Sequence, residues 1–197
     1  MELYCWVQKM NDPELAEISK CSELLEGRRY NLSWGIQSKD WMLEKMEFQL
    51  DPDSGVKITD SIPNTLGLKI VSEKLKLILE ETALNIEFFE VDIRDAKGKL
   101  VESTYYIANL LDVVECMDLK KSRYKRSILK ESHMGRIDYL AIREKAIEEK
   151  ISIFRLAEMP RLHILSEKLG IKIKRLEGCT GMDFIGVEDF SSVTYFL

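Results

Sequence analysis

The stretch GLKIVSEKLKLILEETALNIEFFEV, residues 67–91, decides the fold, because its opening is written twice: IVSEKL at Ile70–Leu75 returns as ILSEKL at Ile164–Leu169. Aliphatic residues suit a strand end, a Ser hydroxyl can accept a backbone N–H as helix N-cap, and Glu after it favours the positive first turn. Each hexapeptide therefore reads as a strand-to-helix corner. In the first copy Leu75, Ile78, Leu79 and Leu84 can share one helical stripe, and IEFFEV returns to strand character, which predicts strand, helix and strand.

The second copy is more ambiguous. IKIK alternates as a strand would, whereas Leu169, Ile173 and Leu176 fit the i, i+4, i+7 spacing of a helix. Ser166 with Glu167 behind it, Lys174 and Arg175 toward the negative end, and Gly178 at a C-cap position decide for the helix. Aligning residues 67–81 with 161–175 keeps Leu, Ile, Ser, Glu, Lys and Leu in register, and FFEV and FIGV follow as strand ends. One strand-helix-strand unit is thus used twice, through duplication or through convergent capping.

Moving outward, ELYCWVQ near the start is strand-like, and DPELAEISKCSELLEG is helix-compatible up to a C-cap at Gly27. RRYNLSWGIQSKDW keeps neither period; Tyr30, Trp34 and Trp41 read there as core or loop anchors. MEFQL, DPDSG and VKIT predict strand, turn and strand, with Gly55 in a left-handed position. FFEVDIR, DAKGK and LVESTYYIA predict a second hairpin around Gly98. YYIANLLDVVECMD is read as strand, although Asp112, Glu115 and Asp118 step by three as on a helix. LKKSRYKRSILK, with six basic residues and no acid, reads as a solvated loop in preference to a nucleic-acid patch, since it carries a single tyrosine for stacking. RIDYLAIR and ISIFRL are strands around a helix-prone EKAIEEK, and AEMPR is a turn that confines Pro160. The expected architecture is α+β: a mixed, mostly antiparallel sheet with a few short helices.

A chain of 197 residues that is 45% hydrophobic can bury a proper core. No run approaches the roughly 18 apolar residues of a membrane span, and the start lacks a basic n-region with an apolar h-region, so a cytoplasmic protein is expected. Cys5, Cys21, Cys116 and Cys179 are scattered without a CxxC pair and read as reduced packing residues. With only His133 and His163, a His-rich metal centre is disfavoured, and a nucleophile pair would need Cys179 and His163 to meet through folding. No cofactor is expected.

Charge is divided unequally. Residues 1–118 hold 23 acids against 13 bases, and residues 119–197 hold 11 against 16. The acidic larger part disfavours nucleic acid and suits a basic protein partner. GxGxxG, Walker, GxSxG and HExxH motifs are absent. GCTG, Gly178–Gly181, is better read as a helix-terminating turn than as a phosphate loop, since it follows a helix and no Lys comes after it. Glu90 and Asp92 share a strand face with Phe88, opposite Phe89, Val91 and Ile93, but nothing nearby in sequence supplies the partner that acid–base or metal chemistry needs.

From Leu66 to Val187 the ordered set GLKIVSEKL, FFEV, YYIANLLDVVECMDLKKS, ISIFRL, ILSEKL and GMDFIGV resembles immunity protein family eleven of bacterial polymorphic toxin systems, formerly a domain of unknown function. The resemblance implies a cytosolic protein that binds and neutralises a cognate toxin non-catalytically, by covering its active site. It sets an immunity-like α+β domain over residues 66–197 beside an N-terminal part, residues 1–65, packed on it. The resemblance assigns no site residues. Charge and strand geometry nominate Glu87, Phe88, Glu90 and Asp92, with Asp112, Glu115 and Asp118, as a partner-binding surface for a basic toxin domain. The competing readings are a small-ligand protein or enzyme with an unrecognised pocket, and a self-associating adaptor.

Overall fold

The computed structural model describes residues 2–10, 12–21, 23–25, 29–42, 44–128 and 130–195, and in it both corners form as strand-to-helix junctions. The strands of the first half are β1 (Leu3–Gln8), β2 (Ile18–Cys21), β3 (Met46–Leu50), β4 (Ser61–Ile62), β5 (Ile70–Ser72), β6 (Ile86–Arg94) and β7 (Tyr105–Leu110). Those of the second are β8 (Val113–Val114), β9 (Arg123–Arg126), β10 (Met134–Tyr139), β11 (Ile153–Leu156), β12 (Met159–Ser166) and β13 (Met182–Gly186). The helices are α1 (Arg29–Ser33), α2 (Glu73–Thr82) and α3 (Glu167–Ile171), the last continuing as a π turn over Lys172–Leu176.

One sheet runs β2-β3-β6-β7-β5-β4 and the other β13-β1-β12-β11-β8, with β9 and β10 as a separate hairpin. Two pairings are parallel, β3 with β6 and β8 with β11; the rest are antiparallel. This is the mixed, mostly antiparallel α+β architecture that the residue patterns imply.

The repeat extends to topology. β5 and β6, joined through α2, both pair antiparallel with β7, so they run parallel to each other with β7 between them. β12 and β13, joined through α3, flank β1 in the same way. At the corners the Ser72 hydroxyl accepts the Leu75 N–H over 3.3 Å and the Ser166 hydroxyl accepts the Leu169 N–H over 3.4 Å. The two units also touch: Lys172 pairs with Glu81 at 2.6 Å, the Lys74 ammonium donates to the Glu177 carbonyl, and the Asp60 carboxylate accepts from both Ser72 and Thr180.

Alternation along the strands splits the core into three. Leu3, Cys5 and Val7 of β1 join Leu162 and Ile164 of β12 on the outer face of one sheet, under Met134, Ile137 and Phe190. Phe48, Leu50, Val91, Ile93 and Ile107 line the outer face of the other, under Ala16, Leu25 and Leu32. Between the sheets Trp6, Val71, Ala108 and Leu165 meet Leu75, Ile78 and Leu79 of α2 and Leu169 and Ile173 beyond the second corner. Each fully buried aliphatic side chain there contributes about 1.5–3 kcal/mol.

Several local expectations are corrected. Residues 13–21 and 23–25 form turn, β2 and a 3-10 turn at Glu23–Leu25 instead of a helix, because pairing of Ile18 with Leu50 and Cys21 with Phe48 outweighs helix propensity; Gly27 lies outside the described residues. DPDSG is a turn, with the Asp51 carboxylate accepting from Asp53 N–H, but VKIT does not pair with MEFQL. Lys57 bridges Leu15 instead, and Gly55 is demanded by close approach, a Cβ there falling 2.1 Å from the Glu14 carbonyl carbon, not by a left-handed φ. The Gly98 hairpin forms as expected, with φ +81° at the glycine.

Leu84 falls beyond the end of α2 and is exposed. Leu176 is also exposed, because the π turn inserts an extra residue per turn and rotates it off the stripe. Gly178 ends that segment at φ +64°. The basic stretch holds β9 instead of being all loop, EKAIEEK yields a 3-10 turn at Glu144–Ala146, and Pro160 stands inside β12, beyond the stretch paired with β1.

Residues before 66 are woven into both sheets: β1 is the middle strand of the second repeat unit, and β2, β3 and β4 extend the six-stranded sheet.

Candidate functional site

Alternation on β6 aims Phe88, Glu90 and Asp92 to one side and Phe89, Val91 and Ile93 to the outer core, as the period-2 pattern predicts. Lys45 lies against the acids, 2.7 Å from Glu90 and 2.6 Å from Asp92, and its pKa is raised by the hydrogen bonds to Asp92 and Glu90. On the neighbouring parallel strand Glu47 pairs with Arg94 at 2.6 Å. Phe88 is half-buried beneath the Lys76 ammonium and edge-on to Tyr106. This is an alternating charged face with carboxylates at its rim.

The other acids are spread differently. Glu87 points to the opposite side from Glu90, where its carboxylate accepts from the Ser38 and Lys39 N–H groups and from the Asn109 amide, tying the loop after α1 to the sheet. Asp112 accepts from the Asn85 backbone and side chain, closing the connection between the sheets. Asp118 accepts from the Lys120 and Lys121 N–H groups in a turn. Glu115 is exposed, 3.7 Å from Arg143. Glu90 and Asp92 therefore stand together, while the remaining acids are separate and mostly committed to backbone N–H groups.

A second feature joins parts of the chain that no sequence window connects. A cleft of about 670 Å³ opens between α1 and the β9–β10 hairpin. Tyr30 stacks on Trp34 with ring centroids 4.5 Å apart, His133 meets Trp34 edge-on at 4.1 Å, and the Lys130 ammonium lies 4.6 Å from the Trp34 centroid. Burial and the Lys130 charge lower the His133 pKa. Arg161 crosses the opposite wall beside Gly67, and Asn64, bonded to the Ile62 and Leu68 carbonyls, fixes the floor. The sequence marks Tyr30 and Trp34 as anchors and residues 119–130 as basic, but about a hundred residues separate the two signals.

A third cluster is internal. Arg155 is 2% exposed and held by backbone carbonyls; burial lowers its pKa to about 9. Lys69 is also buried, near the Trp6 ring, and burial followed by repulsion from Arg155 brings its pKa to about 7. His163, with Nδ1 3.1 Å from the Arg161 carbonyl, has its pKa driven well down by burial and by both cations. None of the three lines the cleft. Cys179 is pushed up to about 11, mainly by burial, the opposite of an activated nucleophile. All four cysteines are free thiols. Among the described residues no cluster of three or more His, Cys, Asp or Glu could hold a metal, and no helix is long and apolar enough to cross a membrane.

Comparison with curated proteins returns no match. A family model does match, described as Immunity protein family (Imm11), and it spans residues 8–189. It begins at the last residue of β1 and includes β2 to β4, which the sequence resemblance beginning at Leu66 left out. With nearly its whole length inside that match, the chain belongs to the Imm11 immunity protein family.

Proposed function

We propose that this protein protects the bacterium that makes it by binding a cognate toxin in the cytoplasm and covering the toxin's active site, without catalysis of its own. The family match over residues 8–189 carries this reading. The surface chemistry supports it: Glu90 and Asp92 share a single cation, Lys45, which leaves a net negative charge beside half-buried Phe88 that can steer a basic protein. Glu115 adds exposed negative charge, whereas Glu87, Asp112 and Asp118 act in this reading mainly by holding loops in place.

The test is co-expression with the product of the adjacent gene. Growth arrest by that product alone, relieved by this protein through a complex that copurifies, is the expected result. A harmless neighbour, or one that remains toxic in the presence of this protein, would overturn the reading. The cleft favours a second reading, a small-ligand protein, which predicts saturable stabilisation by a metabolite without any protein partner.

A further inference from the structure

The cleft between α1 and the β9–β10 hairpin has the makings of a second contact, opposite in charge to the acidic rim. Its charged walls are Lys130 and Arg161, with His133 edge-on to Trp34, and no carboxylate lines it among the described residues. Neither Lys130 nor Arg161 is paired with a carboxylate among the described residues. The hairpin behind them adds Arg123, Lys125 and Arg126, which have no carboxylate partner among the described residues.

Exposed apolar side chains surround this basic cleft. Ile128, in the turn of the hairpin, is fully exposed; Val193, next to the lining residue Ser192, is 61% exposed, and Tyr30 is 49% exposed. A fully exposed β-branched side chain next in sequence to the lining residue Ser127, with a stacked Tyr–Trp pair in the concavity, has the anatomy of a protein contact, where aromatic anchors in a concavity are ringed by apolar and charged groups. A phosphate-bearing small molecule would use the cations but would leave Ile128 and Val193 uncovered.

We infer that this cleft receives an acidic peptide segment of a protein partner, with an apolar side chain against Tyr30 and Trp34 and flanking carboxylates on Lys130 and Arg161. Identification of that partner with the toxin rests on the function proposed above; the chemistry of the segment rests on the cleft alone. The protein then grips its partner at two places of opposite charge, which fixes orientation as well as affinity.

Selection of phage-displayed random dodecapeptides on the immobilised full-length protein tests this. The expected winners carry two or more Asp or Glu around an apolar residue. Synthetic copies should bind the wild-type chain more weakly as NaCl is added, and should lose roughly tenfold or more in affinity to Lys130→Glu, Arg161→Glu and Trp34→Ala. The two charge variants alter exposed side chains, so unchanged thermal unfolding is the control for folding, and Lys97→Glu, a charge reversal in the Gly98 turn away from the cleft, should leave peptide affinity unchanged. No enrichment, basic or uncharged winners, or binding that survives both charge variants would overturn the inference. So would displacement of the peptides by inorganic tripolyphosphate at equal ionic strength, which would assign the cleft to phosphate ligands. Failure of the co-expression experiment would remove the toxin while leaving these outcomes decisive for the cleft.

Discussion

Arg155 on β11 and Leu110 at the end of β7 join the two sheets, the guanidinium Nε–H donating to the Leu110 carbonyl over 2.6 Å. The same group donates to the Ser33 and Pro160 carbonyls at 3.0 and 2.9 Å and to Leu32 at 2.8 Å, with Asn109 Oδ1 at 3.4 Å. A single buried cation thereby satisfies the end of α1, the last turn of β7 and the start of β12. Gly35, at φ +68°, follows from this clasp: a Cβ there would lie 2.7 Å from the Leu110 oxygen and 2.8 Å from the Arg155 side chain.

Arg155→Met keeps much of the volume but takes the guanidinium donors from the Leu110, Ser33 and Pro160 carbonyls and leaves Leu32 only the Gly35 N–H at 3.4 Å; each buried carbonyl left unpaired is worth about 1–3 kcal/mol. A loss on the order of 4 kcal/mol in urea unfolding is expected, with Arg155→Lys recovering a minor part because one ammonium cannot reach all the acceptors. A loss under about 1 kcal/mol would show that the clasp is not what holds the sheets.

The two serine caps are predicted to differ. Ser166→Ala removes one acceptor at the start of α3 and should cost about 1 kcal/mol. Ser72→Ala removes a cap and also the hydrogen bond to Asp60, whose other oxygen accepts from Thr180, so its cost should be the larger. Equal values by thermal unfolding would refute the coupling between corners.

Lys69 gives the stability a pH signature. Its folded pKa of about 7 lies below the unfolded value of 10.5, so between these values the unfolded chain binds more protons and stability rises with pH. The penalty is complete below pH 7. Lys69→Met should therefore be more stable than wild type at pH 7, by on the order of a few kcal/mol, and its advantage should shrink toward pH 10. Parallel wild-type and variant curves across that range would contradict the assignment.

Trp34 should report on His133. The ring contact at 4.1 Å places the imidazole where its protonation quenches indole emission, and burial with the Lys130 charge holds the His133 pKa below 6.5. Fluorescence should fall on acidification with a midpoint below 6.5, and His133→Gln should abolish that step. A wild-type midpoint at or above 6.5 would exclude the described environment.

Legibility followed the range of the interactions. The Ser-Glu corners, the β6 alternation and the Gly98 turn were readable because each depends on residues within one turn or one pleat. DPELAEISKC and VKIT were misread because their conformations depend on distant partners: Leu50 and Phe48 for the first, Leu15 for the second. EKAIEEK had helix formers but was too short to hold a helix without a packed face. The acidic residues were found by charge, yet which carboxylates meet solvent and which meet an N–H could be read only once the loops at Ser38, Asn85 and Lys120 were in place.

The chain on its own determined two capped strand-helix-strand units, the α+β class and the division of charge, since propensity, capping and composition act locally. Tertiary structure decided that each unit encloses a strand from elsewhere, that Arg155 closes the seam, and that Trp34 and Lys130 share a cleft. Those outcomes depend on burial between segments far apart in the chain, as in the pairing of Tyr4 with Gly186, and such burial has no local signature.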